Sequence, residues 1–143
     1  MNITKDRYFI DTNIIIYLFS KKEPARQKAA KEILNNAHIT GKGVISYQVI
    51  QEFCNAALKK FEVPLSLEDC KTFINNFMFP ICGIYPGIDI INTGMDIKFE
   101  TGYGFYDSLI LAAAYKGNCK VIYSEDLTSG QKIRDMVICN PFL

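Results

Sequence analysis

The chain has 143 residues, of which 49% are hydrophobic and 22% charged, and its net charge is +1 at pH 7. This length and composition suit a single globular domain, residues 1–143, and the near-neutral charge excludes a strong global attraction to nucleic acid. The first residues are no secretory signal, and the apolar run Ile14–Phe19 is too short to span a membrane. Five scattered cysteines and one histidine argue against a zinc site and favour a reduced, cytoplasmic protein.

The first predicted element is a short central strand that begins at Tyr8 and stops at Asp11. Its aromatic and branched apolar residues favour a buried strand, and the polar residues Asp11, Thr12 and Asn13 favour a helix start. In an open α/β sheet, ligands bind at the carboxyl ends of the strands. Asp11 is therefore either a site carboxylate or only a helix N-cap.

A helix from Pro24 to about Asn36 is predicted next, followed by a strand over residues 44–46. Ser46 can cap a third helix, Tyr47–Phe61. Glu52 lies at the border of the buried face of that helix, where it is either a surface residue or a residue of a site.

The remaining predicted elements continue the alternation of helix and strand. They are a helix from a capping box at Ser66 to about Phe79, a strand over residues 80–85, a helix Ile88–Phe99, a buried helix that contains Asp107 in its first turn, a strand Lys120–Ser124 and a strand Met136–Cys139. Asp126 follows the strand that ends at Ser124, where it is either a turn residue or a site carboxylate.

Four carboxylates are expected at one edge of this sheet. They are Asp11, Glu52, Asp107 and Asp126. The carboxyl ends of parallel strands meet at the same edge, and the carboxylates there would repel one another unless a cation lay among them. Oxygen ligands without histidine or cysteine select Mg²⁺ or Mn²⁺. These cations suggest metal-assisted hydrolysis of a phosphodiester.

Four segments in this order resemble PIN-domain ribonucleases, in particular VapC-type toxins of toxin–antitoxin pairs. They are FIDTNIIIYL, SYQVIQEF, GFYDSLILAAA and YSEDLTSGQ with the later NPF. The resemblance implies a PIN-like three-layer α/β sandwich, with about five parallel strands and helices on both faces. It also implies Mg²⁺- or Mn²⁺-dependent endonucleolytic cleavage of RNA, a homodimer, and inhibition by a small antitoxin protein.

The same resemblance assigns roles to individual residues. Asp11, Glu52 and Asp107 match the acidic triad of the family, and Asp126 matches a fourth, more variable acid. Glu125 directly precedes Asp126, so either acid of the pair could face the site. Asp126 is the one whose position fits the family spacing. Asn13, Ser46 and Ser124 match positions where the family often places a polar residue behind the acids.

Basic and aromatic residues near the motifs are candidates for contacts to RNA. Lys21, Lys22 and Arg26 follow the first motif and could bind phosphates, although a solvated basic helix face is the more common explanation of such residues. Tyr103 and Tyr106, with Phe105 between them, flank Asp107 and could stack on bases, although packing in the core explains them as well.

Two other classes of protein remain possible from the sequence. A phosphatase of the haloacid-dehalogenase type also begins with a strand and an Asp, but it requires Asp where Asn13 stands. A catalytically silent PIN-like module that binds RNA or protein is the second alternative. Four mutually repelling carboxylates argue against it, because a silent site has no need to keep them.

Overall fold

A six-stranded sheet forms the centre of the structure, a computed structural model that describes residues 1–61 and 64–143. The strands are β1 (Tyr8–Ile10), β2 (Gly43–Ser46), β3 (Cys82–Ile84), β4 (Val121–Tyr123), β5 (Lys132–Ile133) and β6 (Met136–Cys139), and their order across the sheet is β3-β2-β1-β4-β6-β5. Five strands are parallel, and only β5 pairs antiparallel, with β6. The predicted five parallel strands are confirmed, and β5 is an additional edge strand.

β1 is a central strand, as the sequence predicts. It pairs with β2 on one side and with β4 on the other, and Phe9 lies between Val44 and Ile122 in register. All three residues of β1 are fully buried. A strand covered on both faces needs apolar residues at every position, which the Tyr-Phe-Ile sequence supplies.

Six α-helices are present in the part of the chain that the structure describes. They are α1 (Thr12–Ile16), α2 (Pro24–Thr40), α3 (Tyr47–Lys59), α4 (Leu67–Phe73), α5 (Ile88–Thr101) and α6 (Phe105–Lys116). The crossovers from β1 to β3 run in one direction along the sheet, and the crossover from β3 to β4 runs back. Right-handed crossovers in opposite directions lie on opposite faces, so α1–α4 cover one face and α5–α6 the other. The contacts agree, since α1 packs on α3 and α5 packs mainly on α6.

Several helix ends differ from the predicted ones for local reasons. α2 runs on to Thr40 and stops at Gly41, whose φ of +70° suits glycine. Ser66 caps α4 as predicted, by accepting a hydrogen bond from the Asp69 N–H at 3.0 Å. α4 ends at Phe73 and continues as a π-helical turn, Ile74–Met78, and a 3₁₀ turn, Phe79–Ile81. Pro80 lies in that 3₁₀ turn, so β3 begins only at Cys82.

Aromatic side chains join α3 and α4 to the chain that follows α1. Phe19, Phe53 and Phe73 have ring centroids 5.0 to 5.7 Å apart, and Phe61 contacts the first two. Such ring pairs stabilise a core beyond the apolar area they bury. Among the helices of residues 1–61 and 64–143, none is both long enough and apolar enough to cross a membrane.

Candidate active site

Asp11 stands where β1 ends and α1 begins. The register of β1 with β4 pairs Ile10 with Tyr123, which brings the next residues, Asp11 and Ser124, side by side. Asp11 accepts one hydrogen bond from the Thr12 N–H at its Oδ1 and one from the Ser124 hydroxyl at its Oδ2, both of 2.8 Å. Asp11 thus fills both predicted roles, as the N-cap of α1 and as a carboxylate at the edge of the sheet.

The Asp11 carboxyl group is strongly affected by burial, with only 9% of the residue exposed. Its pKa is raised from 3.8 to about 6, mainly by burial and to a smaller extent by repulsion from Glu52 and Asp126. The hydrogen bonds from Ser124 and Thr12 act in the opposite direction but do not compensate. The folded chain therefore holds a carboxylate whose negative charge is costly in the absence of a cation.

Glu52 reaches the same edge from α3. The Thr12 hydroxyl donates to Glu52 Oε1 at 2.6 Å, and Gln48 Nε2 lies 3.3 Å from Oε2. Thr12 thus connects the two acids, since its backbone N–H binds Asp11 and its hydroxyl binds Glu52. Sequence reasoning missed Thr12 and Gln48, although the position of Thr12 directly after Asp11 was a usable signal.

Asp126 and Glu125 are neighbours in sequence whose side chains have different partners. Asn13 Nδ2 donates to Asp126 Oδ2, so that Asp126 faces the start of α1. Glu125 forms an ion pair with Arg26. Of the two acids, Asp126 is the one that interacts with Asp11.

Asp107 is the third residue of α6 and lies on the exposed side of the cluster. Partial burial raises the pKa of its carboxyl group, and repulsion from Asp126 adds to that rise. Asp107 and Asp126 are therefore close enough for their charges to interact. The same holds for Asp11 with Asp126 and for Asp11 with Glu52. The four predicted acids come from four separate segments of the chain and lie near one another in pairs at one edge of the sheet.

The sequence matches a family model for the PIN domain over residues 8–128. This match covers most of the chain and includes all four acids. The chain belongs to the PIN domain family. A search of curated proteins gives no match to this sequence.

Solved structures confirm the PIN fold of this chain. A toxin–antitoxin complex from Klebsiella pneumoniae contains a chain that is 19% identical, with a TM-score of 0.66 over 94% of this chain and 97% of that one. VapBC2 from Rickettsia felis, bound to a DNA fragment from its promoter, contains a chain that is 18% identical. Its TM-score is 0.61 over 92% of this chain and 96% of that one. FitAB bound to the IR36 DNA fragment contains a chain that is 13% identical, with a TM-score of 0.65 over 95% of this chain and 96% of that one. At these identities the likeness concerns the fold.

The polar residues predicted behind the acids have different surroundings in this PIN domain. Asn13 contacts Asp126, and Ser124 contacts Asp11. The Ser124 hydroxyl also accepts a hydrogen bond of 3.3 Å from the Leu127 N–H. Ser46 occupies the N-cap position of α3, but its side chain caps nothing. The predicted capping bond is wrong, because the Ser46 hydroxyl has no hydrogen-bond partner among the described residues.

The donor atoms of this PIN domain's site are all oxygen, which is the chemistry that Mg²⁺ and Mn²⁺ require. As the side chains stand, no group of three Asp, Glu, His or Cys residues within 1–61 and 64–143 is close enough to hold a metal ion. The acids instead interact through bridging residues, Thr12 between Asp11 and Glu52, and Asn13 beside Asp126. The donor set fits a hard cation, which the side chains would have to close around.

The residues predicted to contact RNA are arranged differently from one another. Lys21 and Lys22 are exposed. Arg26 pairs with Glu125, donates to the Tyr17 hydroxyl at 3.0 Å and lies over the rings of Tyr17 and Phe142. It therefore ties the loop after β4 to the start of α2.

The two tyrosines near Asp107 also differ. The Tyr103 hydroxyl donates to Gln131 Oε1 at 2.5 Å and accepts from the Thr128 N–H at 3.0 Å, so Tyr103 holds the loop after β4. Tyr106 is 70% exposed and remains accessible to a ligand.

Proposed function

We propose that this PIN domain is an endoribonuclease that depends on Mg²⁺ or Mn²⁺ and hydrolyses phosphodiester bonds in RNA. The observation that carries the proposal is the meeting of four carboxylates at the carboxyl edge of the sheet. One of them, Asp11, is buried, and its pKa is raised to about 6. Membership of the PIN family supports a nuclease, and the oxygen donors support a hard cation.

Asp11, Glu52, Asp107 and Asp126 would hold the metal. When bound, such an ion activates a water molecule and stabilises the charge that develops on the phosphate. Thr12 and Ser124 orient the Asp11 and Glu52 carboxylates, and each bonded oxygen keeps a second lone pair for a ligand. Asn13 orients Asp126 in the same way. These contacts orient Asp11, Glu52 and Asp126 toward the edge of the sheet, and the side chains would close the remaining distance around the cation.

The test is cleavage of total RNA with and without Mn²⁺. We expect the wild type to cleave only with the metal, and Asp11→Asn and Asp107→Asn to lose activity by orders of magnitude while their circular dichroism spectra stay unchanged. Asp96→Asn is the matched control, because Asp96 is an exposed carboxylate on α5. Full activity of Asp11→Asn would refute the assignment.

We further propose that basic residues at the start of α2 bind RNA phosphates. A near-neutral chain must still bring a polyanion to an acidic centre, so local cations are needed. Alanine at Lys21, Lys22 and Arg26 should weaken RNA binding and reduce its salt dependence, by a slope of about 0.7 for each lost phosphate contact. Alanine at Lys28 and Lys31, which are exposed farther along α2, is the control. An unchanged affinity and salt slope in the first variant would exclude this patch.

We propose that the chain is the toxin of a toxin–antitoxin pair in the cytoplasm. The three similar solved structures support this, since one is a toxin–antitoxin complex, one is VapBC2 and the third is FitAB. The cysteines support a reducing compartment, because all five are free thiols. The antitoxin would occlude the acidic edge, with a cationic side chain facing the carboxylates. Expression of the wild type alone should arrest growth and that of Asp11→Asn should not; harmless expression of the wild type would contradict the proposal.

We propose a homodimer through the exposed apolar face of α5. Ile88, Met95 and Phe99 lie on this face, and Phe99 is 95% exposed. An apolar face of this kind is typical of an interface. Light scattering at micromolar concentration should give twice the chain mass for the wild type and the single mass for Phe99→Asp. Ile39→Asp, at an exposed apolar residue of α2, is the control, and a monomeric wild type would refute the dimer.

A further inference from the structure

A pocket of about 210 Å³ lies beside the acidic site, between the start of α3, the loop after β3, the start of α5 and one side of α6. Its walls include Ser46, Tyr47, Tyr85, Ile90, Tyr106 and Leu109. Pockets for drug-sized ligands measure about 300–1,000 Å³, so this tyrosine pocket suits a single ring system. Because β2 and β3 both end there, it lies at the same sheet edge as the four acids.

The wall of the tyrosine pocket includes the buried polar residue Ser46. The Ser46 hydroxyl belongs to a residue that is 3% exposed, and it has no hydrogen-bond partner among the described residues. A buried hydroxyl normally finds a partner, because leaving it without one costs the desolvation of the group. A ligand in the pocket with a polar edge would supply that partner.

Three tyrosine rings give the pocket an aromatic lining. Tyr47, Tyr85 and Tyr106 all keep a large exposed fraction, and the ring centroids of Tyr47 and Tyr85 are 6.1 Å apart at an angle of 43°. Ile90 and Leu109 add apolar surface behind them. Exposed aromatic rings over an apolar floor suit a flat ring that can stack, and the hydroxyl of Ser46 suits the polar edge of such a ring.

Gln48 connects the pocket to the acidic site. Its side-chain amide lies 3.1 Å from the backbone oxygen of Tyr106, which lines the pocket, and 3.3 Å from Glu52 Oε2. A ligand in the pocket is thus one side chain away from a carboxylate that would hold the metal.

We propose that the tyrosine pocket binds one nucleobase of the RNA, stacked on the tyrosine rings and hydrogen-bonded through Ser46. The inference rests on the proposed ribonuclease function and names a part of its substrate recognition. Stacking tolerates any base, because every base has a π face, whereas a hydrogen bond to Ser46 distinguishes between base edges. The pocket should therefore set affinity through its rings and base preference through the serine.

The test uses free nucleosides, which have no phosphate and so bind independently of metal and of cleavage. Adenosine, guanosine, cytidine and uridine are titrated separately into the full-length chain in EDTA while the methyl signals of Ile90 and Leu109 are followed by NMR. We expect at least one nucleoside to shift these signals with saturation. Tyr85→Leu should weaken that binding about tenfold, and Ser46→Ala should change the order of preference among the four nucleosides.

Tyr115→Leu is the matched control, because Tyr115 is exposed at the other end of α6 and its ring contacts Arg134. Tyr85 lies in a loop, so its replacement leaves the helices intact, and the NMR spectrum of each variant reports its fold directly. No shift with any nucleoside, or equal shifts in wild type and Tyr85→Leu, would overturn the proposal. A second copy of the chain covering the pocket would also overturn it, and would appear as an altered mass of Tyr85→Leu in light scattering.

Failure of this inference is separable from failure of the ribonuclease proposal. If nucleosides do not bind but Mn²⁺-dependent cleavage occurs, the pocket assignment alone is wrong. If nucleosides bind but no RNA is cleaved, the pocket exists and the ribonuclease assignment is wrong. If both hold, Tyr85→Leu should raise KM for RNA about tenfold and leave kcat unchanged, because the ring would contact the base and not the reacting phosphate.

Discussion

Replacement of Asp11 by Asn should stabilise the metal-free protein at neutral pH. Burial raises the Asp11 pKa from 3.8 to about 6, so the ionised carboxylate is disfavoured in the folded chain by about 3 kcal/mol relative to the unfolded one. Asn removes this charge. It is also as good an N-cap as Asp, so its amide oxygen keeps the hydrogen bond from the Thr12 N–H. The Asn amide N–H then faces the Ser124 hydroxyl, which must accept a hydrogen bond instead of donating its charge-assisted one to Oδ2. The net gain is about 1–2 kcal/mol, or roughly 3–8 °C in Tm.

The sign of the pH dependence follows from the direction of the pKa shift. A carboxyl group whose pKa is raised on folding favours the folded state below pH 4, and this contribution is lost as the pH rises through about 6. The excess stability of Asp11→Asn should therefore be small at pH 4, grow between pH 4 and 6, and be complete at pH 7.

Thermal melts in EDTA at pH 4, 5, 6 and 7 measure this difference. Asp96→Asn is the control for the loss of one exposed negative charge and should follow the wild type. In millimolar Mn²⁺ the difference at pH 7 should narrow or reverse, because only the intact acids gain binding free energy in the folded state. A variant that melts below the wild type in EDTA at pH 7, or a difference that does not change with pH, would refute the reasoning.

Three further predictions concern the neighbours of Asp11. Mn²⁺ should raise the Tm of the wild type more than that of Glu52→Gln, and equal increases in thermal melts would mean that Glu52 binds no metal. Thr12→Val should lower cleavage of RNA about 10- to 100-fold by removing the hydroxyl that holds Glu52, and Thr12→Ser should restore it; full activity of the valine variant would exclude this role. Arg26→Leu should lower both Tm and cleavage activity because it releases Glu125 and the loop that carries Asp126, whereas an Arg26 that serves only to bind RNA would leave the Tm unchanged.

The local elements of this protein follow from the sequence because their causes lie within a few residues. Apolar residues at every position of Tyr8–Ile10 indicate a strand buried on both faces, and Asp11 ends it because its side chain caps the next helix. The capping box at Ser66 and the glycine after α2 act over three or four residues in the same way. β5 escaped prediction because two residues, Lys132 and Ile133, give no periodic pattern.

The candidate site was predictable only in part, since the sequence indicates which acids end strands or border buried faces but not what they contact. Ser46 shows the limit, because its position favours a cap. The packing of α3, α5 and α6 instead leaves its hydroxyl at a pocket, without a hydrogen-bond partner in the part of the chain that the structure describes. Thr12 shows the same limit of prediction from sequence, since its hydrogen bond to Glu52 joins residues 40 positions apart.

The order of the strands was decided by the tertiary structure. Placing β4 beside β1 brings Asn13 to Asp126 and Ser124 to Asp11 across 113 residues of chain. The same packing turns Glu125 toward Arg26 and Asp126 toward the acids, although the two are adjacent in sequence. Backbone preferences act over a few residues, whereas the partner of a side chain depends on which distant element packs beside it. The sequence alone therefore determined which carboxylates could form a site, and only the packing of the sheet decided how they meet.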